Sequence, residues 1–493
     1  MLSGERTPVL IVGGGLVGLS AALFLQYHGV GFTLVERRDH ASVLPRSRGV
    51  HMRTVEMFRQ IGIEDRVQAA GASAVKMGAF GGARIGSTML SSEALQIGGP
   101  RGILGSDASP SRFCFCPQVL LEPVLADIVR ERGGDLRFGA ELTDFRQDDE
   151  GVSAGPIRAD YLIAADGGGS SIRRELGIGS WTLPPTHHYL NLFFRADLTD
   201  LVRDRTFSQC EIANETVRGV MVSMNNTDQW SFHLEYDPAR GVPEDCEELI
   251  RAAIGVPDIP VTLLASSAWD TGVHVADEYR RGRVFLAGDA AHQHAPWGGF
   301  GANAGIADVH NLSWKLASVL AGHAGPALLD TYQPERRPQA VLAAEQARLR
   351  TDFLARYGVA NTSGQVDSGA VMTRYCYVSA ASPGESDRVD HLEGQVGTRV
   401  PHAWVADGVS TLDLCGPGFA LLVTADVAAW RAAASKVRGV DVAVHEIGAD
   451  LLPSGGAMLV RPDQHVVARS DQGLHPDTLL PVLESILDRA PAG

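Results

Sequence analysis

Four apolar residues near the N-terminus, Val9-Leu10-Ile11-Val12, are followed by Gly13-Gly14-Gly15-Leu16-Val17-Gly18 and a further apolar stretch. A short apolar run closed by glycine predicts a buried strand. Leu16 to Tyr27 predicts an apolar helix stopped by Gly29 and Gly31, and Phe32-Thr33-Leu34-Val35-Glu36 a second buried strand that ends in a carboxylate. Two later apolar runs also deliver an aspartate to a glycine turn: Tyr161 to Gly167, with Asp166, and Gly282 to His292, with Asp289. After Pro296-Trp297-Gly298-Gly299-Phe300-Gly301-Ala302-Asn303, the spacing of Ile306, Val309, Leu312, Leu316 and Leu320 predicts a helix with one apolar face, stopped by Gly322.

From about 180 to 275 the period changes to two. His188 to Phe194 and Gln229 to Tyr236 alternate as half-buried strands do, which predicts an antiparallel sheet with a helix over Pro243 to Ile254. Residues 360–395 read as polar loop. The tail then predicts a strand at 418–423, a helix at 427–437, a strand at 441–444, a hairpin over 457–468 and a closing helix at 476–487.

The glycines carry the first chemistry. In a strand–glycine–helix–strand unit, Gly13 permits the tight turn, Gly15 lets backbone N–H groups approach a pyrophosphate, and Gly18 lets helix and strand pack closely. Glu36 stands where a ribose hydroxyl is bound, and the helix N-terminus favours negative charge. One such frame occurs. Phe80-Gly81-Gly82-Ala83-Arg84-Ile85-Gly86 lacks the flanking strand and helix, so a second resident dinucleotide is not expected.

Composition narrows the setting. A length of 493 residues, 45% of them hydrophobic, suits an enzyme of two to four domains, and a formal charge of −15 argues against nucleic acid or an anionic membrane as partner. No signal peptide or spanning segment of about 18 apolar residues is seen, so a cytoplasmic location is expected. The six cysteines are scattered, and Cys114-Phe115-Cys116 reads as a buried strand; no metal site is expected.

Gly13 to Gly18 with Glu36, Asp166-Gly167 with Ser170 and Arg173, and Gly288-Asp289 together resemble the single-component (class A) FAD-dependent aromatic hydroxylases. Within these the chain is similar to polyketide hydroxylases acting on tetracenomycin, anthracycline, angucycline and tetracycline-type rings. The likeness takes in Pro45 to Thr54, Gln118 with Leu121-Glu122-Pro123, and Pro296 to Leu316. It implies an α/β fold: a Rossmann-like FAD-binding domain (three-layer ββα; 1–178 and 276–360), an inserted antiparallel-sheet substrate domain (179–275), and a C-terminal thioredoxin-like domain (396–493). The last has no Cys-x-x-Cys pair, which argues against a redox role. The Gly- and Ser-rich stretch 78–105 is expected to add a loop to the substrate cavity.

The resemblance also implies site roles. The cofactor set is Gly13, Gly15, Leu16, Val17, Gly18, Glu36, Arg37, Arg46, Gln118, Asp166, Asp289, Pro296, Gly299, Gly301, Ala302 and Asn303. Glu36 would hold the adenosine ribose, Arg46 and Gln118 the pyrophosphate and ribityl chain, Asp289 the ribityl and phosphate region, and the backbone at Gly301 to Asn303 the pyrimidine edge. Trp297 and Trp230 are the substrate candidates. FAD would stay bound without a covalent link while NAD(P)H visits. The implied reaction is hydroxylation of a phenolic polycyclic ring with O2, through a flavin C4a-hydroperoxide, in a monomer or homodimer. No catalytic base can be named, and His292 reads as loop architecture. Baeyer–Villiger or other oxidative flavin chemistry on the same frame, such as decarboxylative hydroxylation, or a non-catalytic binding protein that kept the fold, stays open on the sequence; halogenation is disfavoured because no Trp-x-Trp-x-Ile-Pro motif is present.

Overall fold

The computed structural model describes residues 5–40, 47–72, 82–96, 108–360, 362–448, 452 and 456–489. Its first sheet is built around strand β1 (Glu5–Val12), which pairs in parallel with β2 (Phe32–Glu36) on one side and with Ile157–Ala164 on the other. Asp135–Phe138 extends the sheet beyond β2, and Val284–Leu286 extends it beyond Ile157–Ala164, both in parallel. Val9, Leu10, Ile11, Leu34, Leu162, Ile163, Phe285 and Leu286 are fully buried, as expected for strands covered on both faces. Helix α1 (Leu16–Tyr27) packs against the helix Phe300–Leu320. Glycine makes that approach possible: a Cβ on Gly305 would come within 2.7 Å of Val17 and 2.8 Å of the Gly288 backbone.

This arrangement turns three carboxyl strand ends the same way. Val12, Ala164 and Leu286 stand in register, so the Gly13 turn, Asp166 and Asp289 gather at one edge of the sheet, where ligands of open α/β sheets bind.

The second sheet has seven strands. Its central members, His188–Arg195, Gln229–Glu235, Arg218–Ser223 and Gln209–Ala213, are antiparallel, with Thr262–Asp270 at one edge. At the other edge Ala83–Gly86 joins in parallel and Glu93–Ala94 closes the sheet, so the last four residues of the glycine-rich stretch dismissed as a dinucleotide frame form a strand here, while Phe80 and Gly81 lie outside the described residues. The expected 78–105 loop lies partly outside the described residues. Helix Cys246–Ile254 covers one face and shares a core with Leu192, Phe194, Phe207 and Trp230. Cys114 is a correction to the sequence reading: it makes an isolated bridge to Val50 and no strand forms, although Cys114 and Cys116 are both buried.

The C-terminal unit holds a four-stranded sheet, Val442–Glu446, Phe419–Val423, Ala457–Val460 and Val466–Arg469 in spatial order. The first pair is parallel and the rest antiparallel, with helices Val427–Ala434 and Leu479–Ile486. A buried charged cluster joins it to the rest. Glu335 accepts from Lys315 Nζ at 2.7 Å, from Asn311 at 2.6 Å and from Arg461 at 2.7 and 2.9 Å. Arg461 also pairs with Asp463, and Arg53 in α2 (Met52–Gln60) donates to Gln464 at 2.6 Å. The side chains of Lys315, Glu335, Arg461 and Asp463 have no solvent exposure. Buried charges persist where they are paired and hydrogen-bonded, so this interface has a defined register. The region at 360–395 is more ordered than the sequence suggested, with a short helix Ser368–Met372. Among the described residues no helix is long and apolar enough to cross a membrane, and no group of three or more His, Cys, Asp or Glu is placed to hold a metal ion.

Candidate active site

A cavity of about 1600 Å³ runs from the glycine turn to the face of the seven-stranded sheet. Gly13, Gly15, Leu16, Val17, Glu36, Arg37, Gln118, Asp166, Asp289, Pro296, Trp297, Gly299, Gly301 and Ala302 all line it.

Local structure explains the dinucleotide end. Gly13 has φ +112°, and a Cβ there would lie 2.2 Å from the carbonyl of Ala165; one on Gly18 would lie 1.9 Å from the carbonyl of Gly13. Gly15 caps α1 without a side-chain hydrogen bond, which leaves first-turn N–H groups for a ligand. Glu36 is buried and fixed: its Oε2 accepts the Gly14 N–H at 2.7 Å, and its Oε1 accepts from the Arg38 backbone at 3.0 Å and Nε at 2.9 Å. Although burial raises its pKa, these donors hold it below the usual carboxylate range. Gln118 donates to Glu122 at 2.6 Å, and Asp166 Oδ1 is buried without a partner. The open helix terminus, the glycine cradle, the anchored carboxylate and the orphaned Asp166 oxygen together fit FAD.

Gly18 and Asn303 sit behind the cavity wall. Asn303 is fully buried; its Oδ1 accepts from the His51 N–H at 2.9 Å and the Thr54 hydroxyl at 2.6 Å, and its amide donates to Gly299 at 2.7 Å. His51 Nε2 donates to Gly298 at 3.2 Å, and burial pushes its pKa down to about 4, so it is neutral. The helix Phe300–Leu320 begins at Gly299, φ +69°, again with no side-chain cap. Arg46 lies outside the described residues.

His292, read from sequence as loop architecture, packs behind the Asp289 turn. It is buried, with Nε2 donating to Asp308 at 2.7 Å; Asp308 also accepts from the Gly288 N–H at 3.1 Å and Arg336 Nε at 2.9 Å. The triad braces the turn that presents Asp289.

The substrate end differs from the sequence expectation in one residue. Trp230 is fully buried among Phe207 and other residues on the helix-covered side of the sheet, and its indole donates to the Ala196 carbonyl at 3.1 Å. It does not line the cavity, because successive side chains in a strand face opposite ways and Trp230 faces the core. Trp297 does line it, packed edge-on to Trp269 at 5.6 Å and to Tyr189 at 6.1 Å. Residues missed from sequence include Gln209, Val222, Met224, His233, Arg350, Arg356 and Tyr357. The alternation of strand residues 218–235 held part of that signal; nothing in 350–357 marked a pocket.

Comparison with known proteins agrees with this geometry. Residues 6–347 match the family described as FAD binding domain, and residues 393–490 match that described as aromatic-ring hydroxylase, C-terminal. Tetracenomycin A2 monooxygenase-dioxygenase of Streptomyces glaucescens is 37% identical over 99% of this chain and 97% of its own. Aklavinone 12-hydroxylase of Streptomyces purpurascens is 33% identical over 99% and 100%. The crystal structure of aklavinone-11 hydroxylase with FAD and aklavinone superposes with a TM-score of 0.87 at 33% identity, covering 98% of this chain and 99% of that one. The chain belongs to the FAD-dependent aromatic hydroxylases, in their polyketide hydroxylase branch.

Proposed function

We propose that this protein hydroxylates a phenolic, polycyclic, polyketide-type aromatic, consuming NAD(P)H and O2. The observation that carries the reading is the continuity of one cavity from the FAD cradle to a chamber lined by Trp297, Met224, Val222 and His233. When bound, FAD would supply the redox chemistry, by which electrons from NAD(P)H and O2 put one oxygen atom on the ring and release the other as water.

The chain's own residues bind, orient and exclude water. The first turn of α1 would receive the pyrophosphate and Glu36 the adenosine ribose. Arg37, Arg46, Gln118 and Asp289 would flank the phosphates and ribityl chain, while the N–H groups after Gly299 would receive the flavin's polar edge. Trp297, backed by Trp269 and Tyr189, supplies flat apolar surface suited to fused rings. The division into a cofactor domain at 1–178 and 276–360, a substrate domain at 179–275 and a thioredoxin-like unit at 396–493 belongs to the same reading. The order of strands in the last unit supports it.

The test uses purified protein. It should carry flavin absorbance, and a panel of polycyclic phenols should stimulate NAD(P)H oxidation under air, giving a product with an added oxygen and an unchanged ring count. Asp289→Ala should lose FAD retention. A protein that FAD cannot reconstitute would refute the reading, and a ring-opened or ring-expanded product would replace hydroxylation by Baeyer–Villiger chemistry.

A further inference from the structure

Alternation along the seven-stranded sheet puts Leu190, Leu192 and Leu234 in the helix-covered core, so Tyr189 and His233 turn to the opposite face. Trp269, on the edge strand Thr262–Asp270, is the cross-strand partner of Tyr189, and the two rings stack with centroids 4.6 Å apart. Trp297 packs edge-on to Trp269 at 5.6 Å and lines the cavity. At the far end Tyr189 stacks with half-buried His187 at 6.0 Å, and Trp269 is itself half-buried. Indole and phenol are the aromatic side chains that give up an electron most readily. Three of them therefore run in contact from the cavity towards the protein surface.

Their surroundings set a direction. The Arg356 guanidinium lies 3.5 Å above the Trp297 ring, so positive charge on that ring is repelled. Among the described residues no guanidinium stands over Trp269 or Tyr189 in this way. The indole N–H of Trp269 instead donates to Nδ1 of His233 at 3.2 Å. Burial keeps that imidazole neutral, with its pKa pushed down to about 3, so it offers a lone pair and no opposing charge. Positive charge is thus better tolerated on Trp269 than on Trp297. An oxidised phenol sheds its proton, so charge that reaches Tyr189 leaves as a proton and does not return inward.

We infer that Trp297, Trp269 and Tyr189 form an escape path that carries oxidising equivalents out of the cavity and spares the groups that line it. The inference rests on the hydroxylase reading, which makes oxygen chemistry in this cavity the source of the oxidant. When that chemistry miscarries, hydrogen peroxide is released, and its one-electron reduction yields a hydroxyl radical. The radical takes one electron from Trp297 and becomes hydroxide. Trp269 returns an electron to Trp297, and Tyr189 returns one to Trp269. Tyr189 releases its phenol proton to water, which balances the hydroxide. A soluble thiol then gives a hydrogen atom back to Tyr189 and is itself oxidised. Short steps between touching rings outrun a single jump over the same span, because electron transfer slows steeply with distance.

The test uses FAD-loaded protein without oxygen, where a blue flash turns bound FAD into a one-electron oxidant and cobalt(III) hexammine carries the electron away. A nitroso spin trap and peptide mass spectrometry then locate the radical left on the chain. It should sit on Tyr189 in the native protein and on Trp269 in Tyr189→Phe. In Trp269→Phe the amount reaching Tyr189 should fall several-fold while Trp297 gains it. Under repeated flashes in air, Trp297 should take up oxygen several-fold faster in Trp269→Phe than in the native protein. Tyr189→Phe removes only a hydroxyl, and decides the matter should Trp269→Phe lose FAD. A radical on Tyr357, which lines the cavity off this row, would overturn the path. So would a radical whose position ignores both substitutions, or none at all, and the rings would then serve packing alone. The hydroxylase reading rests on product mass and would survive each of these results.

Discussion

Asn303 accepts the backbone N–H of His51 through its side-chain oxygen at 2.9 Å, and its amide holds the Gly299 carbonyl at 2.7 Å. One buried side chain thus fixes the start of α2 to the turn from which the helix Phe300–Leu320 departs. That turn lines the cavity through Gly298, Gly299 and Gly301. Asn303 itself stands behind the cavity wall.

Replacing this residue should uncouple the two segments. Asn303→Ala leaves the His51 N–H, the Thr54 hydroxyl and the Gly299 carbonyl without the partner they have now, and should cost about 2–4 kcal/mol of stability, from the usual penalty per buried unsatisfied group. Thermal unfolding would register the loss, and flavin absorbance per protein after gel filtration should fall with it. Full flavin retention in a stable variant would remove Asn303 from the site.

Two glycines a few residues apart should respond differently. Gly15→Ala meets only Glu122 at 3.5 Å, an ordinary contact, so the flavin-free protein should keep its melting temperature while FAD affinity drops, because the new methyl stands where the pyrophosphate approaches. Gly18→Ala drives a Cβ to within 1.9 Å of the Gly13 carbonyl, so stability should fall even without cofactor. Equal melting losses in both variants would contradict this division.

The buried cluster at the C-terminal unit predicts a strong single-site effect. Glu335→Gln leaves Lys315 and Arg461 short of a counter-charge at zero exposure, and breaking a buried pair from one side costs about 3–5 kcal/mol. Urea unfolding should show the shift in midpoint. A change below about 1 kcal/mol would mean that the cluster is not energetically coupled as its geometry implies.

Acid should destabilise the fold in two steps. Burial pushes His28, His51, His294 and His465 down to about 4 and His233 to about 3, from an ordinary value of 6.5. Between 6.5 and these values the unfolded chain binds protons that the folded chain does not, so the stability present above pH 6.5 is lost as pH falls toward 4. Glu335, held down to about 2 against 4.5 by Arg461 and Lys315 despite its burial, adds a loss over that lower window. Melting temperatures measured across pH at saturating FAD should fall monotonically from 7 to 4. A flat profile would show that the histidines gain charge without unfolding.

The parts of this account legible in sequence are those written by local geometry. The helix Leu16 to Tyr27 and the strand Phe32 to Glu36 form where glycine and apolar runs placed them, because turn, helix and strand are each encoded within a few residues. Gly18 was legible for the same reason. Trp230 was not: alternation reveals two faces of a strand, and only the position of Cys246–Ile254 decides which face is core. Arg350, Arg356 and Tyr357 reach the cavity through the return of the chain after a long helix, and no periodicity marks such an encounter. The Glu335–Arg461 cluster likewise joins residues 126 positions apart.

In the proposed reaction one atom of dioxygen passes to an aromatic ring within this cavity. The direct test is the mass spectrum of the product formed from a polycyclic phenol, with the purified flavoprotein, NADPH and ¹⁸O2. The account predicts a product carrying a single ¹⁸O on an intact ring system. Substrate recovered unlabelled while NADPH is oxidised and the ¹⁸O2 leaves as hydrogen peroxide, across phenols that bind in the chamber, would contradict it.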